Sequence, residues 1–458
     1  MAERFEIVQK TLLTLLDEKK YATLRDILVT MNPSDIAAVF TDLEEERIPL
    51  LFRLLPKELA SETFVEMDPD AQEVLIRGFS DKELKEIVDE LYVDDAADLV
   101  EEMPANVVKR ILRQADPEMR NSINQILRYP ENSAGSIMTI EYVSLKETMT
   151  VGESLRQIRT QGVDKETIYT CYVTDNRKLV GLVTVKDLLL AKDDDTPIRD
   201  IMTTNVISVT TQTDQEEVAR MLSKYNFMAM PVVDGENRMV GIVTFDDAMD
   251  VMQDEATEDI EIMGGMTPSE ETYIKSTPVE LFKHRIPWLL LLMISATFTG
   301  LIITSFESAL AAQVALTAFI PMLMDTGGNS GSQSSVTVIR ALSLGELAFS
   351  DLGEVIWKEL RTALLCGGTL ALACFGKIML VDRLLMGNTS ITVLVAAVVC
   401  LALCVTVLLA KLVGCVLPMV AKKIGFDPAV MASPFITTIV DALSLLVYFM
   451  FAQMILHV

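Results

Sequence analysis

A single carboxylate, Asp441, sits inside ITTIVDALSLL, residues 436–446, a run otherwise fit for lipid. A charge at the centre of a bilayer costs at least ~2.5–3.5 kcal/mol, so such a residue faces a water-filled path or a partner. Asp441 lies about 12 residues into its apolar segment, or about 18 Å along a helix, near the midplane. Lys411, in the preceding apolar segment, is the obvious basic candidate for a structural pair. A second polar interruption is PMLMDTGGNSGSQSSVTVIRAL, residues 321–342, with Gly327, Gly328, Asn329, Gly331, Ser332, Gln333 and Ser334. Polar backbone at membrane depth is tolerated inside protein or beside a water cavity, and small residues let helices approach closely. One face of this segment can pack while the other lines a path. A carboxylate beside amide, hydroxyl and carbonyl oxygens is the donor set of a hard cation.

More acids cluster in the polar part of the chain: Asp94, Asp95 and Asp98; Asp246, Asp247 and Asp250; Asp254, Glu255, Glu258 and Asp259. On a helix, 94/98 and 255/259 are four apart and share a face, where like charges repel by a few tenths of a kcal/mol per exposed pair. A bound divalent metal relieves that repulsion, although any one cluster also reads as an ordinary solvated face. No D-x-D-x-D-G loop exists, which excludes an EF-hand.

The elements that must position these groups fall into two regions. Residues 1–286 hold 56 of the 65 acids and 31 of the 39 bases, so nearly all of the −26 net charge lies there. That acidity argues against nucleic acid as a partner, which calls for Lys and Arg stripes, and suits a cation. Five of the six cysteines lie after residue 286 and none forms C-x-x-C, against a zinc ribbon or redox pair. His284 and His457 are too far apart to suggest a local metal motif. No Walker loop is present and no nucleophile–base constellation stands out, so an enzyme is not expected. MAERFEIVQK lacks a signal peptide, which places the acidic region in the cytoplasm.

Residues 1–128 read as helical, with a loose repeat visible in NPSDIAAVFTDL, LPKELASETFVEM, SDKELKEIVDEL and YVDDAADLVEEM. Such short helix pairs stack into a solenoid. Residues 131–250 contain an internal duplication of about 60 residues, each half with strand-like runs, a helix and G-[LI]-V-T-[VF]-[KD]-D, at Gly181–Asp187 and Gly241–Asp247. An acidic helix should follow and end at Gly264–Gly265. Five apolar segments are expected, at 287–306, 309–342, 360–381, 391–420 and 429–457, the longer ones tilted or broken. Lys283, Arg285, Arg340, Lys358, Arg361, Lys422 and Lys423 fall on one side of them, so the N-terminus is cytoplasmic and His457 and Val458 lie outside.

In this order, the acidic repeats, duplicated units, EATED bridge, GGNSGSQ and DPAVMASPFITTIVDALSLLVYF resemble the MgtE family of magnesium transporters and channels over essentially the whole chain. The duplication looks like a pair of CBS domains. The resemblance implies a multidomain architecture: an all-α helical superhelix over 1–130, α/β CBS domains over 131–195 and 196–252, a connecting or plug helix over 253–285, and a five-helix transmembrane pore domain over 286–458. It implies a homodimer in the cell (inner) membrane, with the ion path on the two-fold axis between the second and fifth spans. Asp441 matches the family's pore aspartate and Asp427 a second metal-contacting acid. Gly327, Gly328, Asn329, Gly331, Gln333 and Ser433 fall on the pore lining. Glu62, Asp94 and Asp98 match ligands of the helical domain, Glu216, Asp247 and Asp250 ligands of the CBS pair, and Glu255, Glu258 and Asp259 ligands on the plug helix. Some members bind ATP in the CBS pair; here Phe227, Thr244 and Asp247 would serve base stacking and ribose contact. Four positions depart from the pattern: Asn226 where some members have Asp, Ser433 where Asn is expected, Asp325 in place of a small residue, and Lys411.

The expected function is an Mg²⁺-selective path that imports the ion down its electrochemical gradient. Cytosolic Mg²⁺ between the acidic domains would close it, because a ligand that binds one state better shifts the population to that state. The rivals are a membrane-anchored divalent-cation sensor that does not conduct and a transporter of other divalent ions such as Co²⁺ or Mn²⁺. A chloride channel is disfavoured, since a midplane carboxylate repels anions.

Overall fold

The computed structural model describes residues 2–41, 43–269, 273, 276–388 and 390–457, with residues 2–7 and 433 described by backbone alone. The chain divides into two compact units, Met1–Met252 and Gln253–Val458.

The first unit opens with ten helices among the described residues, from Ala2–Asp17 to Pro117–Ile126. Their starts are written locally. Asp68 and Asp116 cap helices that carry Pro at the first position, and Ser80 forms a capping box with Glu83. Pro33–Thr41 packs on Lys57–Val65, which packs on Asp81–Val88, which packs on Ala105–Gln114. Each helix thus meets the next but one, as in a solenoid. Phe40, Phe52, Phe64 and Phe79 run through its core, with ring centroids 5.4–6.3 Å apart.

The duplicated sequence folds as two three-stranded sheets of the same order. Tyr142–Leu145 runs parallel to Thr167–Asp175, which pairs antiparallel with Lys178–Thr184. Val209–Thr210, Ala229–Val233 and Met239–Thr244 repeat that arrangement. The repeated motif has a structural explanation. In the first half Thr184 caps the following helix and Asp187, three residues on, answers the cap; in the second, the Thr244 hydroxyl likewise donates to Asp247 at the start of its helix. Its Gly leaves room for a bridging residue from outside the half. Thr203 pairs with Leu182 beside Gly181, and Thr139 pairs with Ile242 beside Gly241.

A helix, Phe245–Met263, carries the acidic bridge and ends at Gly264–Gly265, with Gly265 at φ +72°. Part of the segment that follows, residues 270–272, 274 and 275, lies outside the described residues.

In the second unit, four helical stretches among the described residues are long and apolar enough to cross a membrane: Pro278–Ser305, Phe349–Leu385, Val393–Lys423 and Pro428–Leu456. The expected apolar segment 309–342, one of the longer ones, is broken rather than tilted. Glu307–Ala312 and a 3₁₀ turn, Val314–Phe319, precede the helix Ile320–Ser343. That helix has 24 residues, enough to span, but its Asp, Gly, Asn and Ser content removes it from the apolar set. It is held by protein rather than by composition. Gly327, Gly328, Ser330, Gly331, Ser334 and Ser335 are buried where it crosses Val393–Lys423 and Ser433–Leu456. The closest approach is Gly331 to Gly414, where a Cβ on Gly414 would overlap the Gly331 carbonyl. The final stretch also differs from expectation. Pro428–Met431 is a separate turn and the helix restarts at Ser433, so Asp441 is its ninth residue, about 12 Å along.

Candidate cation path and acidic cavity

In the second unit, a cleft of about 460 Å³ is lined by Ile320, Pro321, Met324, Asp325, Gly328, Asn329, Thr437 and Asp441. Two helices, Ile320–Ser343 and Ser433–Leu456, supply all of it. Asn329 donates from its amide to Asp325 Oδ1 at 3.1 Å. Thr437 stands one turn before Asp441 and its hydroxyl donates back to the Pro434 carbonyl at 2.9 Å. Of the residues assigned to a pore lining from sequence, Gly328 and Asn329 face the cleft. Gly327 and Gly331 turn instead to the packing face, against Val440, Ser444 and Ile436. Gln333 is exposed and outside the cleft. Ser433 begins the last helix, and its side chain lies outside the described residues.

Lys411 does not pair with Asp441. Its ammonium lies 3.3 Å from Ser334 Oγ and 3.9 Å from Glu359 Oε2, and Ser334 donates to that same carboxylate at 2.7 Å.

The bridge acids meet others within the same unit. Asp259 accepts from Ser343 Oγ at 3.2 Å, and partial burial followed by the nearby Asp427 charge raises its pKa. Glu258 is raised by desolvation, then by Glu255 and Asp427. Asp427 caps the turn Pro428–Met431 through Ala429 N–H at 2.7 Å. Glu255, Glu258, Asp259 and Asp427 therefore form one electrostatic neighbourhood.

In the first unit, a cavity of about 670 Å³ is lined by twelve Asp and Glu side chains and by no Lys, Arg or His. It gathers Glu62, Asp94, Asp98, Asp247 and Asp250, which the sequence singled out. Asp94 is only 7 % exposed and its Oδ1 has no hydrogen-bond partner. Burial, then Asp95 and Asp247, holds its pKa well above the carboxylate range. Burial and neighbouring acids push Asp95 and Asp98 up to about 7 and Glu166 up to about 8. Asp247 is raised by burial, against the opposing pull of Thr244. Such a wall at neutral pH holds protons or a cation. Glu216 is not in this cavity; it pairs with Arg220 at 3.6 Å on the helix Gln215–Tyr225. Sequence reasoning missed Glu166, which comes from the turn before Thr167–Asp175 and belongs to no cluster or motif.

Among the described residues, no three His, Cys, Asp or Glu converge tightly enough to grip a bare metal ion. Mg²⁺ retains several waters, and carboxylates set apart by a water layer suit it. For the nucleotide assignment, Thr244 donates to Asp247 at the start of its helix. The Phe227 ring stacks on Tyr225 with centroids 5.5 Å apart.

Residues 320–451 match the family model for the MgtE divalent cation transporter, residues 31–132 the MgtE intracellular N domain, and residues 134–194 and 198–254 the CBS domain. The chain is 38% identical to the magnesium transporter MgtE of Thermus thermophilus over 447 residues, covering 96% of this chain and 97% of that one. It is 32% identical to that of Bacillus subtilis, covering 97% of each. Among solved structures it is similar to the cytosolic domain of the Mg²⁺ channel MgtE in complex with ATP. That match has a TM-score of 0.51 and 39% identity, and covers 53% of this chain and 99% of the other. The soluble part of a magnesium transporter also matches, with a TM-score of 0.51 and 30% identity, over 55% of this chain and 99% of that one.

Proposed function

The chain belongs to the MgtE family of magnesium transporters, a multi-pass membrane family, and from that premise we propose a route and a gate for the ion. The route runs along the cleft between Ile320–Ser343 and Ser433–Leu456, with Asp441 as its carboxylate. The observation that carries this reading is the composition of the cleft. Asp441, Thr437, Asn329 and Asp325 converge there, with no base among the lining residues. Outer-sphere contact explains the spacing, because a strongly hydrated ion is read through its waters.

In this reading Ile320–Ser343 is a fifth membrane helix, the protein is a homodimer in the cell membrane, and the N-terminus is cytoplasmic. The membrane potential drives import, worth ~2.3 kcal/mol per charge per 100 mV and doubled for a divalent ion. Cytosolic Mg²⁺ closes the path through two sets of acids: the cavity around Asp94, Asp98 and Asp247, and the neighbourhood of Glu258, Asp259 and Asp427. In each, cations relieve repulsion that otherwise loosens the assembly. ATP binding by the CBS pair is a further element of the proposal, supported by the similarity to the ATP-bound MgtE domain.

Mg²⁺ uptake into liposomes holding the purified full-length protein tests the route. Asp441→Asn should cut uptake while the protein stays folded, and Asp441→Glu should cut it less. Wild-type uptake in a folded Asp441→Asn protein removes the assignment.

A further inference from the structure

The cleft has a second charged wall that the departure at position 325 creates. The register between the two helices fixes where it stands. Gly327 lies against Val440 and Ser444, Gly328 against Thr437, and Gly331 against Ile436 and Val440. Residue numbers on one helix rise as those on the other fall, so the helices run antiparallel. From the Gly328–Thr437 contact, three residues back reaches Asp325 and four residues forward reaches Asp441. Both steps climb about one turn in the same direction. The two carboxylates therefore stand at one level on opposite walls of the cleft, and both line it.

The surroundings leave this pair without a protein cation. No Lys or Arg lines the cleft, and Lys411 is committed to Glu359 and Ser334. Asn329, one turn from Asp325, donates to Oδ1 and leaves Oδ2 for another donor. Thr437, one turn from Asp441, adds a hydroxyl oxygen on the facing wall. Both carboxylates face the cleft, and each attracts a divalent ion with twice the Coulomb energy it gives a monovalent one. The cleft of about 460 Å³ also has room for an ion that keeps its waters.

We propose that Asp325 is a specificity-determining residue of the cation path, sharing with Asp441 a hydrated divalent ion that neither carboxylate holds alone. This rests on the route described under Proposed function and adds a residue to it. A role confined to bracing Asn329 within its own helix makes a different forecast, because Asp325→Asn still accepts that hydrogen bond.

The test uses full-length protein in liposomes, with Mg²⁺ uptake, Na⁺ uptake and block by hexaamminecobalt(III), an exchange-inert mimic of a hydrated cation. Asp325→Asn should raise the half-saturating Mg²⁺ concentration and the half-blocking cobalt complex concentration by about tenfold, the loss of one charge-assisted contact. It should also raise Na⁺ uptake relative to Mg²⁺. Asp325→Glu should recover most of the affinity, and Asp325→Ser gives a second neutral variant should the Asn protein fail to fold. Wild-type saturation and block in a folded neutral variant overturn the inference. If Asp441→Asn shifts both values while neutral variants at 325 shift neither, the route stands and the role of Asp325 falls. If neither position shifts them, both fall.

Discussion

Lys411 and Glu359 are partners inside the membrane unit, 3.9 Å apart and joined through the Ser334 hydroxyl. The Lys side chain is 6 % exposed and the Glu side chain 17 %. Removing one member strands a buried charge, which costs about 3–5 kcal/mol, whereas replacing both with neutral groups of similar size is close to neutral. Thermal unfolding in detergent should therefore show Lys411→Met strongly destabilised and Lys411→Met/Glu359→Gln largely restored. Restoration by Asp441→Asn instead would mean that Lys411 answers to the cleft carboxylate after all.

The acidic cavity should make stability depend on pH in an inverted sense. Asp95, Asp98 and Glu166 have pKa values near 7 to 8 in the folded chain, against about 4 when unfolded. The folded state then binds more protons, so stability falls as pH rises from about 4 and levels off above about 8. Without divalent ions, the melting temperature of the unit that unfolds first should drop between pH 5 and pH 8. Millimolar-range Mg²⁺ should flatten that slope, by stabilising the ionised carboxylates. A melting temperature that is flat with pH in chelator contradicts the shifts.

The bridge helix gives a gating test. Replacing Glu255, Glu258 and Asp259 together by Ala removes three acids facing Asp427 or one another. Patch recordings at high internal Mg²⁺ should show more open time than wild type, with unchanged single-channel conductance. A wild-type dose response would mean that closure does not use this helix.

Close packing behind the cleft should be intolerant of size. Gly414→Ala places a methyl into the Gly331 carbonyl, and overpacking of this kind costs about 1–3 kcal/mol. Lower thermal stability together with altered Mg²⁺ uptake is expected, because the displaced residue belongs to the helix that carries Asp325 and Asn329. Stability equal to wild type would show that the two helices separate easily.

Sequence made the periodic features legible. The apolar faces and caps of the N-terminal helices, the duplication, and the stop at Gly264–Gly265 all follow from local chemistry. It was weaker where tertiary contacts decide. The turn at Pro428–Met431 moved Asp441 along its helix, and a helix face cannot be chosen by composition when both faces carry Gly and Ser. Gly327 and Gly331 were thus grouped with Gly328 and Asn329, although only the latter two line the cleft. Glu166 needed the fold itself, since a lone Glu in a turn carries no pattern. The pairing of Lys411 was equally hidden, because Glu359 lies one helix and more than fifty residues away from it in sequence.

The crossed bridges of the CBS pair bear on how the protein is made. Thr139 lies near the start of the first half, yet exchanges two backbone hydrogen bonds with Ile242 near the end of the second, at 2.8 and 2.9 Å. On a ribosome adding about 5–20 residues per second, Thr139 waits about 5–20 s for its partner to be synthesised. Through that interval its backbone N–H and C=O remain an open strand edge. A neighbouring nascent chain that has already made its own Met239–Thr244 strand offers the same hydrogen bonds. Exchange between chains during synthesis is thus a hazard written into the connectivity, and slower translation between the two halves should increase it.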